Sequence, residues 1–136
     1  MTDIGSLARG DLVASYTADP ITRHALAVYA GASGDYNPIH VDIDFARRAG
    51  MPDVFAQGML VMGFLSRCLG MVSPPDRLRE FSVRFLTITQ VGDAITCAAR
   101  LVRIETTGGE RRARLQLLAT NQAGEIRLKG EAVVAV

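Results

Sequence analysis

The spacing of hydrophobic residues changes about half-way along the chain, from a helical period to a strand period. In the first half, the stretch TADPITRHALAVYAG predicts an amphipathic helix with Asp19 as its N-cap, Pro20 at its first position and Gly31 as its end. The apolar positions that recur at helical spacing are Ile21, Ala25, Val28 and Tyr29. We expect this side of the helix to pack on the core.

Two more helices are predicted before residue 71. The stretch DIDFARRAG has acids at its start and Arg47 and Arg48 at its end, which is the charge order that the dipole of a short helix favours. The stretch GMLVMGFLSRCLG, residues 58 to 70, is apolar on nearly all sides and carries Arg67. It is too short to span a bilayer, so it is interpreted as a buried central helix whose sides are covered by protein.

From about residue 80 the apolar positions alternate, which is typical of strands. Arg84 falls on one side of the first strand, and the other side carries Phe81, Val83, Phe85, Thr87 and Thr89. Three further strand-like runs follow at residues 94–105, 111–120 and 126–136, separated by VGD, TTGG and NQAG. With a first strand near residues 11–17, the pattern predicts an α+β fold, an antiparallel meander wrapped around one central helix.

Composition and charge narrow the class of protein. A chain of 136 residues with 49% hydrophobic content suits a single domain, residues 1–136. Its 15 Lys and Arg against 14 Asp and Glu give a net charge of +1 with no run of like charges, so neither nucleic acid nor a membrane is a predicted partner. The first residues, MTDIGSLARGDLV, do not resemble a signal peptide, which favours a cytoplasmic location. Cys68 and Cys97 lie in apolar segments and are expected to be reduced core thiols.

The loop GASGDYNPIHVD, residues 31 to 42, carries the candidate chemistry. Asp35 and His40 stand five residues apart around the rigid Pro38, so both side chains could act on one water molecule. Asn37 could act there directly or could bond the local backbone instead. A metal site from Asp35, His40 and Asp42 is disfavoured because only one imidazole lies nearby, and no metal is predicted.

Gly58 stands where the central helix is expected to begin. The start of a helix offers unpaired N–H groups and a partial positive charge, which can hold an oxygen that becomes negative during a reaction. Close helix packing would also explain this glycine. Combined with Asp35 and His40, however, it would supply what proton transfer next to a thioester carbonyl requires.

The segment YAGASGDYNPIHVD resembles the signature of the MaoC-like, (R)-specific enoyl-CoA hydratase family, with its G-D-x-N-P-hydrophobic-H-x-D pattern. Downstream, FAQGMLVMGFLS is similar to the family's segment that opens the central helix, so the resemblance covers residues 29–70 closely. It implies the hot dog fold and the reversible hydration of trans-2-enoyl thioesters of CoA or acyl carrier protein to (3R)-hydroxyacyl thioesters. It also implies that no cofactor is needed and that the protein forms a homodimer or a higher homo-oligomer.

The resemblance also implies roles for particular residues. Asp35 and His40 would bind and activate the water, while the backbone N–H of Gly58 would stabilise the thioester oxygen. Asn37 and Ser66 would orient the pair and its water, although Ser66 could equally be a small residue that bonds its own helix. Gln57 stands where many relatives have His and would bear on substrate preference.

Two alternatives to hydration remain. A non-catalytic acyl-thioester-binding protein, or a partner subunit of a heteromeric dehydratase, is disfavoured because both Asp35 and His40 are present. A thioesterase would need a further carboxylate that the sequence does not supply. The sequence leaves open whether four arginines meet phosphates or only lie on a solvated sheet face, namely Arg84, Arg111, Arg112 and Arg114.

Overall fold

The computed structural model describes residues 3–136 and consists of one five-stranded sheet and three α-helices. The helices are α1, Arg23–Ser33; α2, Ile43–Arg48; and α3, Gly58–Gly70. The strands are β1, Leu12–Thr17; β2, Leu78–Phe85; β3, Thr96–Thr107; β4, Glu110–Thr120; and β5, Ile126–Ala135. The predicted α+β architecture and the bounds of the central helix are therefore confirmed.

The sheet is antiparallel throughout, with the strand order β1-β3-β4-β5-β2. Strands β3, β4 and β5 form the predicted meander, but β2 pairs with β5 rather than with β3, so the prediction of one continuous meander is wrong. The chain after β2 first continues along β5 and then bonds to the segment before α3, since Leu86 N–H donates to Arg127 O and Ala56 N–H donates to Thr89 O. An alternating pattern predicts which side chains share a face of a strand. It does not predict which strand pairs with it, because long-range hydrogen bonds decide the pairing.

Helix α3 packs on the inner face of the sheet, against β1, β3 and β4. Its buried residues are Val61, Leu65, Cys68 and Leu69. The predicted covering on all sides is not seen in one chain, because Met59 is 57% exposed and Gly63, Ser66 and Arg67 are also exposed. The sheet meets α3 through the alternate residues of β4, all of them fully buried: Ala113, Leu115, Leu117 and Ala119. Within residues 3–136, no helix combines the length and hydropathy that a membrane crossing requires.

The boundaries of α1 differ from those predicted. The N-cap is Thr22, whose hydroxyl accepts a hydrogen bond from Ala25 N–H, and Asp19 and Pro20 lie outside the helix. Residues before it are held in extended form by tertiary bonds, because Ala18 N–H donates to Ile95 O and Ile21 N–H to Asp93 O. Backbone groups that are bonded to another segment cannot also begin a helix.

The end and the buried face of α1 also need correction. The helix runs through Gly31 to Ser33, and Gly34 forms the left-handed cap with φ of 78°. Leu26 and Ala30 are its buried residues, whereas the predicted core residue Val28 is 56% exposed. Tertiary contacts therefore chose a face of α1 next to the one that its apolar spacing predicted.

Candidate active site

The loop that carries Asp35 is built by hydrogen bonds between close neighbours. Gly34 turns the chain out of α1, and its N–H donates to Ala30 O at 3.0 Å. The hydroxyl of Ser33 donates to Tyr29 O at 2.7 Å and accepts from Asp35 N–H at 3.1 Å. Asp35 is thus fixed directly after the helix, while its side chain stays 45% exposed.

Asn37 shapes the next turn through its side chain. Its Oδ1 accepts from Ile39 N–H at 3.1 Å and so caps the short 3-10 turn Pro38–His40. Its own backbone N–H donates to Asp35 Oδ1 at 3.3 Å. The structural alternative for Asn37 is the one that its contacts support: it holds both Asp35 and the turn that presents His40.

His40 is buried, and its ring is held by Phe55 in the segment before α3. Its Nδ1 lies 2.7 Å from Phe55 O, and its ring meets the Phe55 ring edge-on with a centroid distance of 5.1 Å. Because a carbonyl oxygen only accepts, Nδ1 carries the hydrogen of this bond and leaves Nε2 free. Nε2 lies 3.8 Å from Asp35 Oδ2, a separation that one bridging water can span.

A cavity of about 600 Å³ lies at the start of α3. Its wall includes Phe55, Ala56 and Gly58 on one side and residues 85–90 with Arg127 and Leu128 on the other. The N–H of Gly58 has no partner within its own helix, since it belongs to the first turn. A Cβ at position 58 would approach Phe85 Cε1 to 3.0 Å, so glycine leaves room for that ring at the cavity wall.

Gln57 faces the protein interior. It is fully buried, and its Nε2 donates to Leu26 O in α1 at 3.1 Å. Its Oε1 has no hydrogen-bond partner within residues 3–136. The side chain is not part of the cavity wall, so the structure places it between α1 and the start of α3.

Ser66 lies apart from the other predicted site residues. It stands eight residues after Gly58 on α3, is exposed, and borders a separate hollow of about 60 Å³ with Leu69 and Leu78. Within residues 3–136, the Ser66 hydroxyl makes no hydrogen bond to a backbone carbonyl of its own helix, which is the bond that its structural alternative would require. One chain therefore brings together Asp35, Asn37 and His40. Gly58 lies on a cavity whose wall includes Phe55 but none of these three residues, and Ser66 lies outside both.

Two features of the site were not predicted. Phe55 lies between its halves, because its carbonyl oxygen fixes His40 and the residue also lines the cavity. The far wall holds a buried ion pair, with Arg127 Nη2 at 3.0 Å from Asp93 Oδ2. Both contacts join residues far apart in sequence, so no local pattern could have shown them.

The metal alternative receives no support from the geometry. Asp42 is the N-cap of α2, and its Oδ1 accepts from Asp44 N–H and Phe45 N–H. Among the described residues, no group of three His, Cys, Asp or Glu side chains is arranged to hold a metal ion. Asp42 thus has a structural role in the same motif that carries Asp35 and His40.

The loop, the turn and the helix start agree with a known domain family. The sequence profile of the MaoC like domain matches residues 9–122. The chain belongs to the MaoC-like family. This MaoC-like chain is 29% identical over 121 residues to the (R)-specific enoyl-CoA hydratase of Rhodospirillum rubrum, covering 88% of this chain and 82% of that protein.

Two further matches extend the comparison. The MaoC-like chain is 38% identical over 77 residues to the fatty acid synthase subunit beta of Aspergillus oryzae, covering 54% of this chain but 4% of that protein. The solved (R)-hydratase from A. caviae involved in PHA biosynthesis superposes with a TM-score of 0.81 at 27% identity, covering 95% of this chain and 96% of that one. The predicted resemblance and the hot dog fold are confirmed.

Proposed function

We propose that this protein is a hydro-lyase that reversibly hydrates trans-2-enoyl thioesters to (3R)-hydroxyacyl thioesters. The observation that carries the proposal is the pair of Asp35 Oδ2 and His40 Nε2, 3.8 Å apart, with the other His40 nitrogen fixed by Phe55 O. Phe55 also lines the cavity into which Gly58 faces. A water held by the pair and a thioester in the cavity would lie side by side.

The reaction divides between the two halves of the site. The pair takes a proton from the water while the hydroxyl adds to C3, and the electrons of the double bond move towards the thioester oxygen. The N–H of Gly58 stabilises that oxygen. The proton then passes to C2, so that the product has gained one water and no cofactor is consumed. Because Asp35 and His40 act as a unit, the acid and base roles are properties of the pair.

The remaining predicted residues would act by positioning. Asn37 holds Asp35 and the turn beneath His40, and Gln57 ties the start of α3 to α1. The predicted water-orienting role of Ser66 stays a prediction, since in one chain it borders a different hollow from the one at Gly58. The carrier of the acyl group is CoA or acyl carrier protein, both of which present the same thioester.

We propose that residues 1–136 form a single domain and that this domain works as a homodimer. The cytoplasmic location stays a prediction. Both β1 and β2 are sheet edges, and an unpaired edge is a surface that proteins usually cover. Exposed apolar side chains also stand on the elements that carry the site, namely Val28, Tyr36, Val41 and Met59. A second copy would cover them. Light scattering during size-exclusion chromatography would show a dimer mass, and a monomer at working concentration would contradict the proposal.

The test is the loss of enoyl thioester absorbance with crotonyl-CoA and octenoyl-CoA. We expect turnover by the wild type, and we expect Asp35→Asn and His40→Gln each to lower kcat/KM by about 10²–10⁴-fold, because each removes one member of the pair. Comparing the two substrates would also reveal the preferred chain length.

The matched control is Asp42→Asn. It removes a carboxylate two residues from His40, but asparagine caps a helix as well as aspartate, so α2 and the activity should be kept. Tight binding of both thioesters by the wild type without turnover would reject the hydratase and favour the non-catalytic binding protein. Equal losses in Asp42→Asn and Asp35→Asn would show that the pair has no special role.

A further inference from the structure

Two cations face each other on the outer side of the sheet, next to the cavity. Arg84 in β2 and Lys129 in β5 are direct partners in the antiparallel ladder. They line a groove of about 410 Å³ together with Ser82, Gln116 and Glu131. Like charges placed directly opposite each other in a sheet destabilise it, so this arrangement has a cost that the fold alone does not explain.

Neither cation is neutralised by the protein. Within residues 3–136, no carboxylate oxygen lies within 4.0 Å of the charged nitrogens of Arg84 or Lys129. Glu131 shares the groove and lies 3.1 Å from Arg114, which also lies within 4 Å of Glu80 and Glu105. The sheet contains arginines that do have carboxylate partners, which are Arg79, Arg103, Arg112, Arg114 and Arg127. Even with Glu131 counted, the lining of the groove has two positive charges and one negative charge, so a net positive charge remains.

The groove adjoins the cavity at the end of β2. Leu86 lines both of them, and Phe85 packs at the position of Gly58. Since successive side chains of a strand point to opposite faces, Phe85 lies on the cavity side and Arg84 on the groove side. Leu86 is thus the residue that a flexible chain starting at Gly58 would pass on its way to Arg84.

We propose that Arg84 and Lys129 bind the phosphate at the far end of the pantetheine arm of the substrate. The inference rests on the proposed function, because that function places the thioester at Gly58. Both CoA and acyl carrier protein carry a phosphate on this arm, beyond a chain that is long, flexible and uncharged. A phosphate supplies the missing negative charge, accepts paired hydrogen bonds from the Arg84 guanidinium, and removes the repulsion between the two cations.

The experiment compares two thioesters that differ in the phosphate alone, crotonyl-4′-phosphopantetheine and crotonyl-pantetheine. Initial rates are measured with both of them, and with crotonyl-CoA, for the wild type, Arg84→Gln and Lys129→Gln. We expect each variant to raise KM for crotonyl-4′-phosphopantetheine and for crotonyl-CoA roughly tenfold with kcat nearly unchanged, and to leave KM for crotonyl-pantetheine unchanged. Arg84→Lys should recover part of the affinity, because it keeps the charge but loses the paired hydrogen bonds.

Arg103→Gln is the matched control for charge, because it removes one cation from the sheet at a position where Glu105 already neutralises it. It should leave all three KM values unchanged. A further substrate, crotonyl–acyl carrier protein, distinguishes the sources of the phosphate. A rise in its KM together with that of crotonyl-CoA assigns the site to the shared phosphate, and a rise with only one carrier assigns it to that carrier.

Failure of this inference is separable from failure of the proposed function. Unchanged KM values for both carriers in Arg84→Gln, or equal changes with and without the phosphate, would overturn the phosphate site while leaving the hydratase intact. If the wild type turns over no thioester, calorimetric binding of 4′-phosphopantetheine and pantetheine to the wild type and Arg84→Gln still decides whether a phosphate is bound. The melting temperature of Arg84→Gln should equal or exceed that of the wild type, since a repulsion is removed.

Discussion

The loop at residues 34–40 and the segment at residues 53–58 supply the two halves of the site, but they are held in different ways. In the loop, the hydrogen bonds that fix Asp35 and the turn join residues no more than four positions apart. In the segment, Gln57 bonds Leu26 O across 31 positions, and Phe55 forms an isolated bridge with Gln90. Local hydrogen bonds shape the backbone of the loop, whereas contacts across the fold hold the segment and the ring of His40.

The loop and the segment also differ in exposure to solvent, and helix α1 connects the exposed loop to the buried segment. The loop is exposed through residue 38, where water can enter, whereas Gln57 is fully buried and His40 nearly so. Helix α1 carries the loop and is also tied to the segment, since Arg23 donates two hydrogen bonds to Asp53 at 2.8 and 2.6 Å. These hydrogen bonds lower the pKa of Asp53 and keep it charged. The spacing between Asp35 and Gly58 therefore depends on the contacts between α1 and residues 53–57.

The largest effect is expected in the segment, at Gln57. Gln57→Ala removes a buried side chain and its bond to Leu26 O, so the free energy of unfolding should fall by about 2–4 kcal/mol in urea titrations. Gln57→Met keeps the volume and removes the unpartnered Oε1, so it should cost less than about 1.5 kcal/mol. If Gln57→Ala is as stable as the wild type, the segment does not depend on this long-range contact.

A smaller loss of stability is expected in the loop, at Asn37. Asn37→Ala removes the cap of the 3-10 turn and should cost about 1 kcal/mol. Its kcat/KM should fall by at least tenfold, because a shift of the turn moves His40 away from Asp35. Asn37→Ser, which can still cap, should recover most of both quantities. The comparison breaks if Asn37→Ala destabilises the protein more than Gln57→Ala does.

The smallest effect on the free energy of unfolding is expected where α3 packs against the sheet. This packing lies next to the segment, because the segment ends at the start of α3. Burial raises the pKa of the Cys97 thiol from 9.0 to about 12, and the nearby Cys68 adds to the rise. A raised pKa in the folded state contributes stability that is complete below pH 9 and is lost as the pH rises towards 12. Between about pH 8 and pH 9.5 the contribution of Cys97 to the free energy of unfolding should fall by about 0.8 kcal/mol. Cys97→Ala should reduce this slope and leave the part that comes from Cys68, whose pKa burial also raises. An unchanged slope would show that the Cys97 thiol does not contribute to it.

Those parts of the fold and of the candidate site that depend on residues close in sequence could be predicted. The bounds of α3, the acid-to-base order of α2, the glycine turns between the last strands and the capping role open to Asn37 were all visible locally. The errors lie where distant segments decide: the start of α1 depends on Ile95 and Asp93, and the place of β2 depends on β5. For the same reason Phe55 was missed, since its bond to His40 spans 15 positions.

The sequence by itself determined which residues can carry the chemistry and which elements present them, because caps, turns and hydrophobic periods act over a few residues. Only the tertiary structure decided that Phe55 lies between the Asp35–His40 pair and the cavity at Gly58. It also decided that Gln57 faces α1 and that Arg84 in β2 stands opposite Lys129 in β5. Those contacts depend on how the chain closes over long separations, and a linear pattern does not specify which distant backbone or side-chain groups will meet.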